Sequence, residues 1–343
     1  MTDKIITRPL AEGIIEDSVA NEILQHVPQS SEVMALGRRL PNMPSRVHSM
    51  PVLDMLPVAY FVSEYGRDED ALGKPDPRGE ETLKKTTKVK WDRVRLYAEE
   101  IAVIVPVPQS VLDDARFPIW DNVRPLVTEA IGVLFDRAIL WGESAPEQWP
   151  PSLIERIVQM ENYVIHQDTA GMSDIYDELL GEGGIISLLE EQVYFPSGYV
   201  GNLGLRGKLR GLREQDAAGD STGPPIFTRT PQETTQYALD GSPIAFPTNG
   251  CILPSDQAIL IAGAWRELVW ALRQDISFQV FDSGIIQNAA GEIVFNLLQQ
   301  DMKALRVVMR AAWAVPNPIS RIKGRDERFP FSALMQDGWT PTT

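Results

Sequence analysis

The chain has 343 residues, 32 of them Lys or Arg and 47 Asp or Glu, for a formal net charge of −15. With 43% hydrophobic residues it has the apolar mass for about two domains. The acidic balance excludes a protein that grips nucleic acid through a broadly basic face. One cysteine and three dispersed histidines exclude a disulfide framework and a Cys- or His-rich metal site. No apolar run approaches the ~20 residues of a membrane span, and the opening MTDK lacks a signal-peptide layout.

Residues 1–50 alternate two helix-like pieces, 10–24 and 31–40, with Pro9, Pro28, Pro41 and Pro44. Their apolar residues fall in small groups such as Ile5-Ile6 and Ile14-Ile15, too few to bury one another. The segment is either a solvated leader or an arm that docks elsewhere, and its apolar content favours the arm. PVLDMLPVAYFVSE at 51–64 is extended and leads into GRDEDALGKPDPRGEET at 66–82, a polar loop tip. The return through Lys84, Lys85, Thr86, Thr87, Lys88, Val89, Lys90 and Trp91 has strand composition. Residues 51–97 are therefore expected as a long β-hairpin projecting from the body, its lysines opposing wrong edge pairing.

YAEEIAVIVPV at 97–107 reads as a strand, and 110–114 suits a short helix. The strongest helical signal runs over 118–141, where Ile119, Val123, Leu126 or Val127, Ala130, Leu134, Ala138 and Trp141 recur three or four apart. Pro118 and Asp121 suit its first turn and Gly142 its stop, whereas Pro125 either kinks the start or delays it to Arg124. Such a rod is about 35 Å long. Amphipathic helices are expected near 153–164 and 172–180, then a strand over 193–200 and a loop and helix over 203–213. A polar turn at 215–224 and strands within 225–262, at 276–280 and at 291–295 follow. At 303–315 the period is divided. Leu305, Val307, Met309, Ala311, Trp313 and Val315 alternate as in a strand, whereas Lys303, Arg306 and Arg310 fit one helical face.

Enzyme signatures are absent: no G-x-S-x-G, P-loop, H-E-x-x-H or G-x-G-x-x-G occurs. GNLGLRGKLRG at 201–211 has the wrong spacing for a phosphate loop and reads as a glycine-punctuated turn into a basic helix. Pairs such as Asp113-Asp114, Glu99-Glu100 and Glu190-Glu191 arise by chance among 47 acids and give little support to a carboxylate-dependent hydrolase. No catalytic, cofactor or metal site is assigned. Residues 303–325 carry six basic side chains and no acid. This strip either meets an acidic surface of another copy, such as 66–82, or lies on a solvated sheet face.

The order of these pieces resembles the HK97-type major capsid proteins of tailed bacteriophages. The resemblance is carried by PVLDMLPVAYFVSE, by LKKTTKVKWDRVRLYAEEIAVIVPVPQSVLDDA with the long helix ending AILWG, by LDGSPIAFPTNGCILPSDQAILIAGAWRELVWALRQDISFQVF, and by FNLLQQDMKALRVVMRAAWAVPNPIS. It covers about 30–325 and favours a strand at 303–315. It implies an α+β fold: an N-terminal arm (1–50), an extended loop (51–97), a peripheral domain (98–145 and 275–325) with its spine helix at 118–141, and an axial domain (146–274 and 326–343). It further implies hexamers and pentamers of this chain in an icosahedral shell around double-stranded DNA, assembled in the host bacterial cytoplasm without membrane or cofactor. A portal, a separate scaffolding protein or none, and a cement protein are the further partners implied. An encapsulin-like compartment is the alternative on the same fold. Lys84, Lys85, Lys88, Lys90, Lys303, Arg306 and Arg310 are the candidate inter-subunit contacts. Some relatives crosslink a loop lysine to an asparagine with a glutamate as base. Asn296 and Asn317 flank the long strand here, but 303–315 carries no carboxylate and Asp301 is not the family's glutamate, so no autocatalytic crosslink is expected.

Overall fold

A computed structural model describes residues 31–59, 87–115, 118–167, 172–210, 212–213, 223–230, 236–288 and 290–341. The arm up to residue 30, the loop tip at 66–82 with Lys84 and Lys85, and most of the turn at 215–224 lie outside the described residues. The helices are α1 (Glu32–Leu36), α2 (Gln109–Asp114), α3 (Ile119–Trp141), α4 (Leu153–Gln159), α5 (Met172–Leu180), α6 (Ile185–Glu191) and α7 (Leu205–Leu209). The strands are β1 (Arg38–Arg39), β2 (Val47–Met55), β3 (Lys90–Tyr97), β4 (Glu99–Pro108), β5 (Tyr163–Ile165), β6 (Gly198–Gly201), β7 (Phe227–Thr230), β8 (Gln236–Leu239), β9 (Ser242–Ala245), β10 (Ala258–Gly263), β11 (Val269–Phe281), β12 (Ile285–Gln287), β13 (Ile293–Asn296), β14 (Met302–Ala314) and β15 (Phe331–Met335).

Two larger sheets organise this α+β fold. One has the order β1-β11-β14-β4, and the other β5-β15-β10-β6-β9-β8-β7. The divided pattern at 303–315 resolves as a strand, because β14 pairs with β11 on one side and β4 on the other. Its odd-numbered residues, Leu305 to Trp313, are buried in one core with Val127, Ile131, Phe135 and Ile139 of α3. Residues from the larger sheet, including Val200, Ile261 and Ala333, join the same core. On the even-numbered face, Ala312 and Ala314 are covered by Met43, Leu96 and Ala98 at the root of the β2–β3 hairpin. A second core under the larger sheet joins α5, α6 and α7 to Tyr199, Leu260 and Leu334.

α3 starts at Ile119 and continues through Pro125. Gly142 ends it in the left-handed region (φ 75°), a conformation glycine adopts without a Cβ clash, and donates its N–H to Ala138. The buried stripe is Val127, Ile131, Phe135, Ala138 and Ile139. Of the expected stripe, Ile119, Val127 (the alternative to Leu126) and Ala138 are buried, whereas Leu126, Ala130 and Leu134 lie one residue off, on the exposed face. Apolar residues cover more than one side of this helix, so periodicity alone cannot choose the side.

Several expectations are corrected in their extents. The strand expected over 193–200 forms only at β6, and the helices expected over 31–40 and 203–213 only at α1 and α7. The helix from Leu153 stops at Gln159; Glu161 takes φ 55°, and Tyr163–Ile165 forms an edge strand parallel to β15. The hairpin arms pair farther back, Val47 with Tyr97 and Leu53 with Trp91, because alternating residues there pack on the sheet root. The strand expected at 276–280 begins at Val269, so it runs unbroken across residues 274 and 275.

Candidate assembly interface

The candidate cations do not form one surface. Strand geometry places Lys303 on the face opposite Arg306 and Arg310. Register sets Arg310 across from Glu100, and its Nε and Nη2 donate to the Glu100 carboxylate at 2.8 and 2.6 Å. Arg306 donates to Gln279 Oε1 at 2.6 Å and stacks over the Phe281 ring at 4.7 Å. Farther along, Arg325 pairs with Asp92 at 2.6 Å and Arg321 donates to the carbonyl of Pro57 at 2.9 Å, tying the hairpin to its own subunit. Much of the charge read from the sequence as facing another copy is thus engaged inside the chain. Lys90 pairs with Asp54 at 2.6 Å in solvent, and Lys88 is exposed. An exposed pair of this kind contributes under about 1 kcal/mol.

Asn317 is buried. It accepts from Tyr194 Oη at 2.6 Å and donates to the carbonyls of Arg325 and Arg328. That places it in a structural network. Burial pushes the Cys251 thiol far up, which leaves a protonated, unreactive group. Among the described residues no cluster of three His, Cys, Asp or Glu is placed to hold a metal. No helix among them is long and apolar enough to cross a membrane.

What the subunit does present is apolar side chains in water. Leu126 and Leu134 stand two turns apart on the outer face of α3. Met55 and Trp91 stand on the hairpin, Trp91 being 64% exposed. Ile285 and Ile293 stand on the small β12–β13 sheet, with Leu298 in the turn that follows. Single exposed apolar residues need no explanation, but sets on separate projections mark contact surfaces.

Sequence reasoning missed Asp136. It is fully buried on α3 and accepts from Ser31 Oγ at 2.5 Å, from Glu32 N at 2.9 Å and from Val33 N at 3.3 Å. It thereby satisfies the open N–H groups of α1 and anchors the root of the arm to the long helix. Burial pushes its carboxyl up to about 7, outweighing those three hydrogen bonds. The signal in the sequence was an acid set inside the apolar run from Ile131 to Trp141, directly after Phe135. Arg137 was missed as well: it bonds Glu143 and Asp256 and donates to the carbonyl of Gly250, clamping the helix end to the loop before β10.

A long helix laid on a long-stranded sheet, an anchored arm root and a reaching hairpin define a shell subunit of the HK97 fold. A family model described as the phage capsid family matches residues 12–324. The major capsid protein of Staphylococcus phage 80alpha is 23% identical over 313 residues, 90% of this chain and 84% of that protein. Solved chains from Microbacterium phage Oxtober96 (26% identity, TM-score 0.72) and Mycobacterium phage Bobi (25%, 0.71) superpose over 97% and 98% of this chain and 100% of theirs. A capsid chain of an empty GTA particle shares the fold at 12% identity, with a TM-score of 0.56 over 97% of this chain and 98% of that one. The chain belongs to the phage capsid family, as a major capsid protein.

Proposed function

We propose that this chain assembles as hexamers and pentamers into an icosahedral shell that encloses double-stranded DNA, in the bacterial host's cytoplasm. It acts as a building block and not as an enzyme, and its shell is held by non-covalent contacts alone. A portal, a separate scaffolding protein or none, and a cement protein are the further partners this reading carries. The division into a peripheral domain around α3 and an axial domain around the seven-stranded sheet carries over, with its second boundary moved to residue 268 so that β11 stays whole.

The observation that carries this reading is the placement of exposed apolar side chains on separate projections. Burying each 100 Å² of such surface on assembly is worth roughly 2.5 kcal/mol. That gain must exceed the mutual repulsion of copies that each carry −15. The same charge lets the wall surround DNA without gripping it. The test is expression of the full chain followed by negative-stain microscopy. Closed shells or rings of six and five are expected. A monodisperse monomer would overturn the proposal, and shells filled with protein cargo would point to a compartment instead.

A further inference from the structure

The seven-stranded sheet has two dissimilar ends. At one end the chain leaves α6 through a tight turn in which Val193 donates its N–H to Glu190 and Tyr194 donates to Leu189. Val193 lies at φ 64°, a region that a β-branched residue adopts only under constraint. The turn is anchored on both sides. Tyr194 is buried, with its hydroxyl on Asn317 and the Arg328 guanidinium over its ring at 3.9 Å. The carbonyl of Pro196 accepts from Ser242 Oγ at 3.0 Å, and Ser197 N donates to the carbonyl of Gly263 at 2.9 Å. Between these anchors Phe195 is 77% exposed. Its backbone cannot retreat, so the ring is a preorganised knob. Glu190 and Glu191 are exposed beside it.

At the other end of β6, a strand about 10 Å long at strand spacing, lies a cavity of about 190 Å³. Leu205, Ile259 and Gly204 form its apolar part, and His166, Lys208 and Asp337 stand among its polar lining residues. His166 is held between Glu178 at 2.7 Å and Lys208 at 2.8 Å, which fixes that wall. Arg210 is exposed at the end of the same short helical stretch, beside the cavity mouth. A dry cavity of about 150 Å³ accepts a benzene ring, so this one has room for a phenyl group.

Knob and cavity lie at opposite ends of one sheet, so no subunit fills its own. We infer that Phe195 of one copy seats in the cavity at Gly204–Leu205 of the next copy, with Glu190 and Glu191 facing the exposed Arg210. Such a contact is head-to-tail, the type that generates closed rings. A central aromatic anchor inside a rim of opposite charges is the usual composition of an energetic centre. This inference deepens the shell reading above and rests on it.

Two variants of the full chain test it. Phe195→Ala removes the knob. Gly204→Leu plugs the cavity at a site whose added Cβ meets only Asn202 Oδ1, at 3.5 Å. Each is expected to keep the wild-type melting temperature and to need at least about tenfold more protein before rings or shells appear by light scattering. Assembly of either variant at the wild-type concentration would overturn the inference. A lowered melting temperature of Phe195→Ala at a concentration where both it and the wild type are unassembled would also overturn it, because an external knob adds nothing to the isolated fold. If the wild-type chain itself stays monomeric, the shell reading fails. If the wild type assembles and both variants do too, only this contact fails.

Discussion

Replacing Asp136 by Asn tests what anchors the arm root. In an unfolded chain this carboxyl ionises near pH 4. In the folded subunit burial holds it to about 7. Between those values the unfolded state gives up its proton first, so this group makes stability fall as pH rises, and above 7 the cost is complete. The full cost is about 4 kcal/mol, of which about 3 kcal/mol develops between pH 5 and pH 8. Asp136→Asn removes the charge and keeps one acceptor, leaving the N–H of Glu32 without its partner at 2.9 Å. That loss costs about 1–2 kcal/mol at any pH. The variant should therefore match the wild type near pH 5 and exceed it by about 2–3 kcal/mol at pH 8, in urea unfolding of unassembled subunits. Glu32, whose carboxyl burial also raises, repels the Asp136 carboxylate, so Asp136→Asn eases its ionisation too and adds to the gain at pH 8. Arg137, held by Glu143 and Asp256, stays charged throughout, and the Cys251 thiol stays protonated. A variant less stable than the wild type at pH 8 would refute the reasoning, because it would mean the buried carboxylate ionises without penalty.

Phe135→Ala should cost about 4 kcal/mol in the same assay, since this ring is fully buried and stands edge-on to Trp149 at 5.8 Å; a loss below 1 kcal/mol would show that the two sheets do not share this core. Gly263→Ala should destabilise by at least about 2 kcal/mol, because the new Cβ would lie 2.2 Å from Phe331 Cδ1 in a site with no free volume. Calorimetry reads this directly. Cys251 should resist thiol reagents in the folded subunit and react on unfolding, as followed by mass spectrometry. Boiled, reduced shells should run as a single 38.2 kDa band; a covalent ladder would disprove the non-covalent reading.

The sequence carried the long regular elements well. The span of α3 and the alternation of β14 were legible because a repeat over a dozen or more residues outweighs local noise. The choice of buried side on α3 was not, since Leu126-Ala130-Leu134 and Val127-Ile131-Phe135 are both apolar rows and the partner sheet decides between them. Short elements failed for the opposite reason. Tyr163–Ile165 is three residues long, too few to show a period, and its strand state comes from pairing with β15. The basic strip was visible as composition, but its partners were not. Glu100 meets Arg310 across 210 residues of chain, a relation that sheet register alone creates.

β11 also bears on the life of the subunit before assembly. Among the described residues its outer edge is paired with another strand at Val269 and Trp270, through β1, and Leu272 accepts one further backbone bond from Met43. A regular open edge of the remaining length is a template for stacking with identical chains, and a capsid protein accumulates as many identical chains. Here the ladder slips between Leu272 and Gln274 and again between Gln274 and Ser277, and the charged Asp275 lies within the second slip. Each irregularity turns the backbone donors and acceptors out of line for a second straight strand. The subunit can thus keep an exposed strand long enough to span its sheet while edge-to-edge fibres are disfavoured, and copies are left to meet through side chains instead of through backbone.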